Sequence, residues 1–174
     1  KIRPYILALI FLSYQMEGRQ LYVGTDKEYR SIKIAIQQSN NGDSIIVTGG
    51  IYKEGNIIID KSVSLIGKNL PVLDGQKKYE AVSIKANYVL LSGFKVQRSG
   101  YATLNDPGGI KIYDSHHVSI CNNVLDDNFF GIYLQYSKHC IIKNNKLTAY
   151  AVEEQQIGNG IHCWKSDSLQ IIEN

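Results

Sequence analysis

The sequence predicts an all-β fold, a single-stranded parallel β-helix (solenoid) with a short N-terminal capping helix, and three observations carry that prediction. One pattern of fifteen residues occurs three times: GIKIYDSHHVSICNN from Gly109, GIYLQYSKHCIIKNN from Gly131 and GIHCWKSDSLQIIEN from Gly160. The copies start 22 and 29 residues apart, which is solenoid spacing. Within each copy the chemistry keeps its register. Glycine is followed by apolar residues at offsets one (Ile110, Ile132, Ile161), three (Ile112, Leu134, Cys163), nine (Val118, Cys140, Leu169) and eleven (Ile120, Ile142, Ile171). Serine holds offset six (Ser115, Ser137, Ser166) and asparagine offset fourteen (Asn123, Asn145, Asn174).

A period of two sends the four apolar offsets inward and the residues between them outward. Glycine suits a tight turn, and the asparagine can bond turn backbone while stacking on the asparagine of the next coil. A buried aliphatic side chain contributes about 1.5–3 kcal/mol, but only where a neighbouring coil covers it, so stability builds by stacking. The segments VSICNNVL and CIIKNNKL also half-match a leucine-rich repeat. That repeat needs one strand and a helical or irregular return, whereas here a second alternating run precedes the first. Two strands per repeat favour the parallel β-helix.

Taken in order, the chain opens with Lys1-Ile2-Arg3 and an apolar run from Pro4 to Leu12, the form of a secretory signal and too short to span a bilayer. Residues 1–24 are therefore expected to be a signal remnant and leader, and the protein to be periplasmic, exported by a signal peptide. Thr25-Asp26-Lys27-Glu28 has the form of a capping box, and Tyr29, Ile32, Ala35 and Ile36 make a helical stripe. This predicts an amphipathic helix covering the open end of the first coil. Strands are expected over 44–48, 56–60, 62–66, 71–73, 81–86 and 89–96, the last two being a degenerate repeat with Asn87 near the serine position. The β-helix domain spans 25–174, in about five coils. Longer stretches between Gly100 and Gly108, and between Lys146 and Asn159, read as loops centred near Asn105 and Glu153-Glu154, where insertions commonly carry function. The chain stops on a repeat asparagine, so further coils are expected beyond it.

The net charge of +3 is too mild to point to nucleic acid. The three cysteines fall in three different columns, which disfavours a disulfide, and Cys140 and Cys163 take inward positions as small core hydrophobes.

Several segments resemble the NosD family, periplasmic nitrous oxide reductase maturation proteins. They are NNGDSIIVTGGIYKEG (40–55), IDKSVSLIGKNLPVLDG (59–75), KANYVLLSGFKVQRSG (85–100), NFFGIYL (128–134) and GNGIHCW (158–164). The resemblance implies a right-handed parallel β-helix working as an accessory scaffold. Its partners would be nitrous oxide reductase and an ABC-type membrane transporter, in assembly of the copper-sulfur centre. It implies no catalytic residues.

Three sets of residues could carry chemistry. His117 and His139 share outward offset eight and should stack about 4.8 Å apart on adjacent coils. With His116 beside them they are candidate ligands for copper or zinc. Offset two gives Lys111, Tyr133 and His162, and offset four gives Tyr113, Gln135 and Trp164, a strip of aromatic groups with polar handles that suits a protein partner or a sugar. A carbohydrate-active enzyme, a lyase or epimerase, would want carboxylates converging on one outward face. Asp114 is followed in its column by Tyr136 and Lys165, Asp126-Asp127 fall in a turn, and Asp106 lies in a loop. The carboxylates therefore favour a scaffold over an enzyme. A purely structural surface β-helix is the third class.

Overall fold

The computed structural model describes residues 18–101, 106–150 and 158–174. The signal-like segment and the two loop centres lie outside the described residues. Three parallel sheets wrap one core. Sheet 1 stacks β1 (Gln20–Val23), β2 (Ser44–Val47), β5 (Ser64–Gly67), β8 (Leu90–Ser92), β11 (Ser119–Cys121), β14 (Ile141–Lys143) and β17 (Gln170–Ile172). Sheet 2 stacks β4 (Ile57–Ile59), β7 (Val82–Ile84), β10 (Gly108–Tyr113), β13 (Phe130–Gln135) and β16 (Ile161–Trp164). Sheet 3 stacks β3 (Ile51–Tyr52), β6 (Val72–Asp74), β9 (Lys95–Gln97), β12 (Val124–Asp126) and β15 (Lys146–Thr148).

The repeat register holds residue for residue: Ile110 pairs with Ile132 and Ile132 with Ile161, while Ile120 pairs with Ile142 and Ile142 with Ile171. The degenerate copy joins it, with Val82 beside Ile110 and Leu91 beside Ile120. Each coil has three strands rather than the two expected. The third strand buries only one apolar side chain per coil, Leu73, Val96 and Leu125 in succession, and a single inward residue cannot display a period. The expected strand 89–96 is split at Gly93, whose φ of +84° turns the chain between sheets 1 and 3. A Cβ there would stand 2.5 Å from the Gly67 carbonyl oxygen of the coil below, so only glycine fits.

Two other expectations change. Gln20–Val23 pair in parallel with Ser44–Val47, so the β-helix begins inside the stretch assigned to the leader. The helix α1 runs from Ile32 to Gln38 and is capped by Ser31, not by the Thr25 box. The Glu54 carboxylate accepts from the Ile32 and Lys33 amides and from the Ser31 hydroxyl, a cap supplied from another part of the coil. At the other end the Lys61 ammonium donates to the carbonyls of Ile36, Gln37 and Ser39. Ile32, Ala35 and Ile36 are buried against the first coils, so the helix does cover that end. Among the described residues no helix is long and apolar enough to cross a membrane.

The corner between sheets 1 and 3 is fixed by the repeated Asn-Asn pair. The first member takes the left-handed conformation that asparagine tolerates, at φ of 58° for Asn122 and 54° for Asn144. The second is buried and stacks: Asn145 Oδ1 accepts from both Asn123 nitrogens at 3.0 Å, and Asn174 Oδ1 accepts from those of Asn145 at 3.0 and 2.8 Å. Each Nδ2 also donates to a core-strand carbonyl, that of Leu91, Ile120 or Ile142. The column's backbone and side-chain groups thereby find partners inside the solenoid.

Candidate functional site

The outward residues at offsets two and four stand on sheet 2, and parallel pairing places them in register. Lys111 lies beside Tyr133 and Tyr133 beside His162; Tyr113 lies beside Gln135 and Gln135 beside Trp164. All six line one groove of about 860 Å³, together with Tyr79, Glu80, Tyr101, Asp106, Pro107 and Phe130 among others. The strip is thus brought together, but as a floor rather than a flat surface. Lys111 and Tyr133 are only 5% and 6% exposed, and the Lys111 ammonium donates to the Asp106 carbonyl at 3.3 Å.

Ring contacts order the floor. Tyr133 meets His162 edge-on at 4.7 Å, and Phe130 leans on both at 5.2 and 5.1 Å. The Asn159 side chain contacts His162 Nδ1 at 3.0 Å. The Lys111 ammonium sits over the Tyr133 ring at 4.4 Å and the Tyr113 ring at 5.0 Å, a cation–π arrangement that settles a buried cation.

Sequence reasoning missed Glu80. It precedes β7, outside the repeat register, so no column signals it. Its carboxylate accepts from the Ser83 hydroxyl in a short contact and from the Tyr113 hydroxyl at 3.1 Å to both oxygens. Burial pushes the Glu80 carboxyl up from its ordinary value, and the Ser83 and Tyr113 hydrogen bonds and the Lys111 charge only partly offset that. Burial and the adjacent Glu80 carboxylate push the Tyr113 phenol up as well. The groove therefore holds one carboxyl whose pKa burial raises, a buried ammonium and several aromatic walls. Asp106 lines the same groove.

His116, His117 and His139 occupy the corner between sheets 2 and 1. Tyr88, His117 and His139 are left-handed there (φ 56°, 56° and 52°), held by amide hydrogen bonds to the next coil from His117 to the Lys138 carbonyl and from His139 to the Asp167 carbonyl. Their rings form a column, Tyr88 on His117 at 5.0 Å and His117 on His139 at 5.2 Å. His116 and His117 bring their Nδ1 atoms to 2.9 Å. His139 stacks by its ring instead of joining that pair. Among the described residues no three His, Cys, Asp or Glu side chains converge to hold a metal ion. The pair offers two nitrogens, and the three-donor set expected from the sequence is not assembled.

Cys140 is buried as expected, whereas Cys163 is exposed because β16 is the last strand of sheet 2 and has a neighbour on one side only. Cys121, Cys140 and Cys163 are free thiols.

No curated protein matches this sequence. Among solved structures the chain is similar to the pectin methylesterase from Aspergillus niger. Against its penultimately deglycosylated form the identity is 15% and the TM-score 0.41, covering 82% of this chain. Against the deglycosylated form they are 18% and 0.35, covering 84%. The chain spans 66% of the length of the first of these and 69% of the second. A family model described as a right-handed beta helix region matches residues 21–174. That span takes in the three sheets, the helix that covers their end and the groove on sheet 2, and the chain belongs to the right-handed β-helix family.

Proposed function

We propose that this chain is a docking scaffold rather than an enzyme, and that a partner protein occupies the groove on sheet 2. The observation that carries the reading is that all six outward strip residues line one aromatic groove. Tyrosine, tryptophan and phenylalanine around a desolvated floor are the composition of an interface core. The resemblance to NosD supplies the specific partners: nitrous oxide reductase and an ABC-type transporter, met in the periplasm after export. On this reading the protein assists assembly of the copper-sulfur centre. The His116–His117 pair is where copper would be handled on this chain, since two nitrogens 2.9 Å apart suit adjacent positions on one ion bound at about 2.0–2.1 Å.

The test is capture of the reductase or the transporter by the intact protein, compared with Trp164→Ala, alongside titration with Cu(I) and Cu(II). Capture that Trp164→Ala weakens supports the scaffold. Copper binding unchanged in a His116→Ala/His117→Ala protein removes the copper role.

Glu80 favours a second reading, a β-helix carbohydrate-active enzyme, because a half-buried carboxyl with a raised pKa in an aromatic groove is the form of a general acid. Depolymerisation of an acidic polysaccharide that Glu80→Gln abolishes, with no capture of either partner, would establish that reading instead.

A further inference from the structure

Two Asn-Gly pairs occur in the sequence, Asn41-Gly42 and Asn159-Gly160, and the fold treats them differently. Glycine has no side chain to crowd its backbone nitrogen, so after asparagine that nitrogen can reach the preceding side-chain carbonyl. In the first pair both groups are tied down. The Gly42 amide donates to the Ser62 carbonyl at 2.7 Å, and Asn41 Oδ1 accepts from the Ser62 amide at 3.0 Å. In the second pair both residues are exposed, and the Gly160 amide donates to none of the described residues. The Asn159 and Gly160 carbonyls accept from the Gly131 and Ile132 amides of the preceding coil at 3.2 and 2.9 Å, so the backbone is held while the glycine nitrogen is not. The Asn159 side-chain amide meets His162 Nδ1 at 3.0 Å. That imidazole is half-buried and braced by the Tyr133 and Phe130 rings at 4.7 and 5.1 Å.

We propose that Asn159 is a self-modification site, which deamidates through the Gly160 nitrogen with His162 as proton donor, while Asn41 is protected by the fold. The Gly160 nitrogen gives its proton to water and attacks Asn159 Cγ, forming a C–N bond that closes a cyclic imide. The Cγ–Nδ2 bond breaks, and His162 Nδ1 supplies the proton with which the nitrogen leaves as ammonia. Water then opens the imide at either carbonyl, leaving an aspartyl or isoaspartyl residue at position 159. In sum one side-chain amide and one water become one carboxylic acid and one ammonia. The inference goes beyond the scaffold reading and stands whatever occupies the groove. Its consequence does reach the groove, because the new carboxylate stands beside His162, which lines it. The isoaspartyl product also adds a backbone methylene at the residue whose carbonyl holds the Gly131 amide. The surface offered to a partner therefore changes with the age of the molecule.

The whole protein is incubated at neutral pH, folded and in denaturant, and peptide mapping by mass spectrometry follows the amide-to-acid conversion at each asparagine over time. In the folded protein position 159 is expected to convert and position 41 to persist, whereas in denaturant both convert. Gly160→Ala should slow conversion at position 159 severalfold without loss of the fold, since an added Cβ meets nothing closer than Leu147 Cδ2 at 3.8 Å. His162→Ala should slow it about tenfold or more, with the melting temperature of each variant reporting that the solenoid is intact. The proposal is overturned if Asn159 persists in the folded protein while it converts in denaturant. It is equally overturned if folded Asn41 converts as fast as Asn159, or if either variant retains the full rate.

Discussion

The asparagine corner and the outer face of sheet 2 are built by the same repeat, at the same strand spacing, and they spend their polar groups in opposite ways. At the corner, Asn123 and Asn145 are buried, and their amides bond to one another and to core-strand carbonyls. Beside sheet 2 the side chains of Lys78, Lys85 and Lys165 remain exposed, their ammoniums lying over the rings of Tyr79, Tyr113 and Trp164. The difference teaches that a β-helix can separate stability from recognition within one coil, because successive residues of a strand face opposite ways.

That contrast is broken most directly at Asn145. Asn145→Ala removes the acceptor of the Asn123 backbone amide and the side-chain donor to the Ile120 carbonyl, while Asn123 Nδ2 keeps only the Leu91 carbonyl. It should cost about 1–3 kcal/mol in chemical denaturation; a loss below the smaller figure would mean that the column is not what holds the corner. A smaller effect separates the carboxylates of the frame from that of the groove. Burial alone would raise the Asp74 carboxyl, but hydrogen bonds from Arg98, the Gln76 amide and Gln97 together hold it below its ordinary value. Its contribution is complete above the ordinary carboxylate range and is lost as pH falls through the lowered folded value. Asp74→Asn should therefore flatten the acid side of the stability curve, read as melting temperature against pH.

Glu80 has the opposite sign. Its folded value is raised by burial, so the fold holds a proton there that the unfolded chain has released, and stability falls as pH rises from the ordinary carboxylate value through the raised one. Glu80→Gln should remove that fall and leave the protein at least as stable at neutral pH. A variant whose stability still falls as the parent's does from the ordinary carboxylate range towards neutral pH would contradict the assignment. The smallest effect is expected at His139, exposed and stacked only on its neighbour. His139→Ala should change stability by less than about 0.5 kcal/mol, and a larger loss would place the ring column with the frame.

Most of the frame was legible because a period of two repeated in fixed register leaves little choice of face. Ile110, Ile112, Val118 and Ile120 are all buried where their offsets put them. The strip at Lys111, Tyr133 and His162 was legible for the same reason. What escaped was whatever has no period: a third strand with one inward residue, Glu54 reaching across to cap α1, and Glu80 in the loop before β7. The metal donors show a different limit. Sequence register puts His117 and His139 side by side, but whether neighbouring rings converge or stack depends on side-chain torsions that spacing does not encode.

The asparagine column also bears on how such a chain can change over generations. Asn123 and Asn145 are 22 residues apart and Asn145 and Asn174 are 29 apart, yet the two amide contacts have the same 3.0 Å length. The frame thus measures each coil at its corner and ignores how much chain is paid out elsewhere. Insertions between Lys146 and Asn159 can lengthen or shorten without disturbing the coils on either side. Mutation can then revise the outer surface one loop at a time, leaving the scaffold as a fixed ruler against which new surfaces are tried.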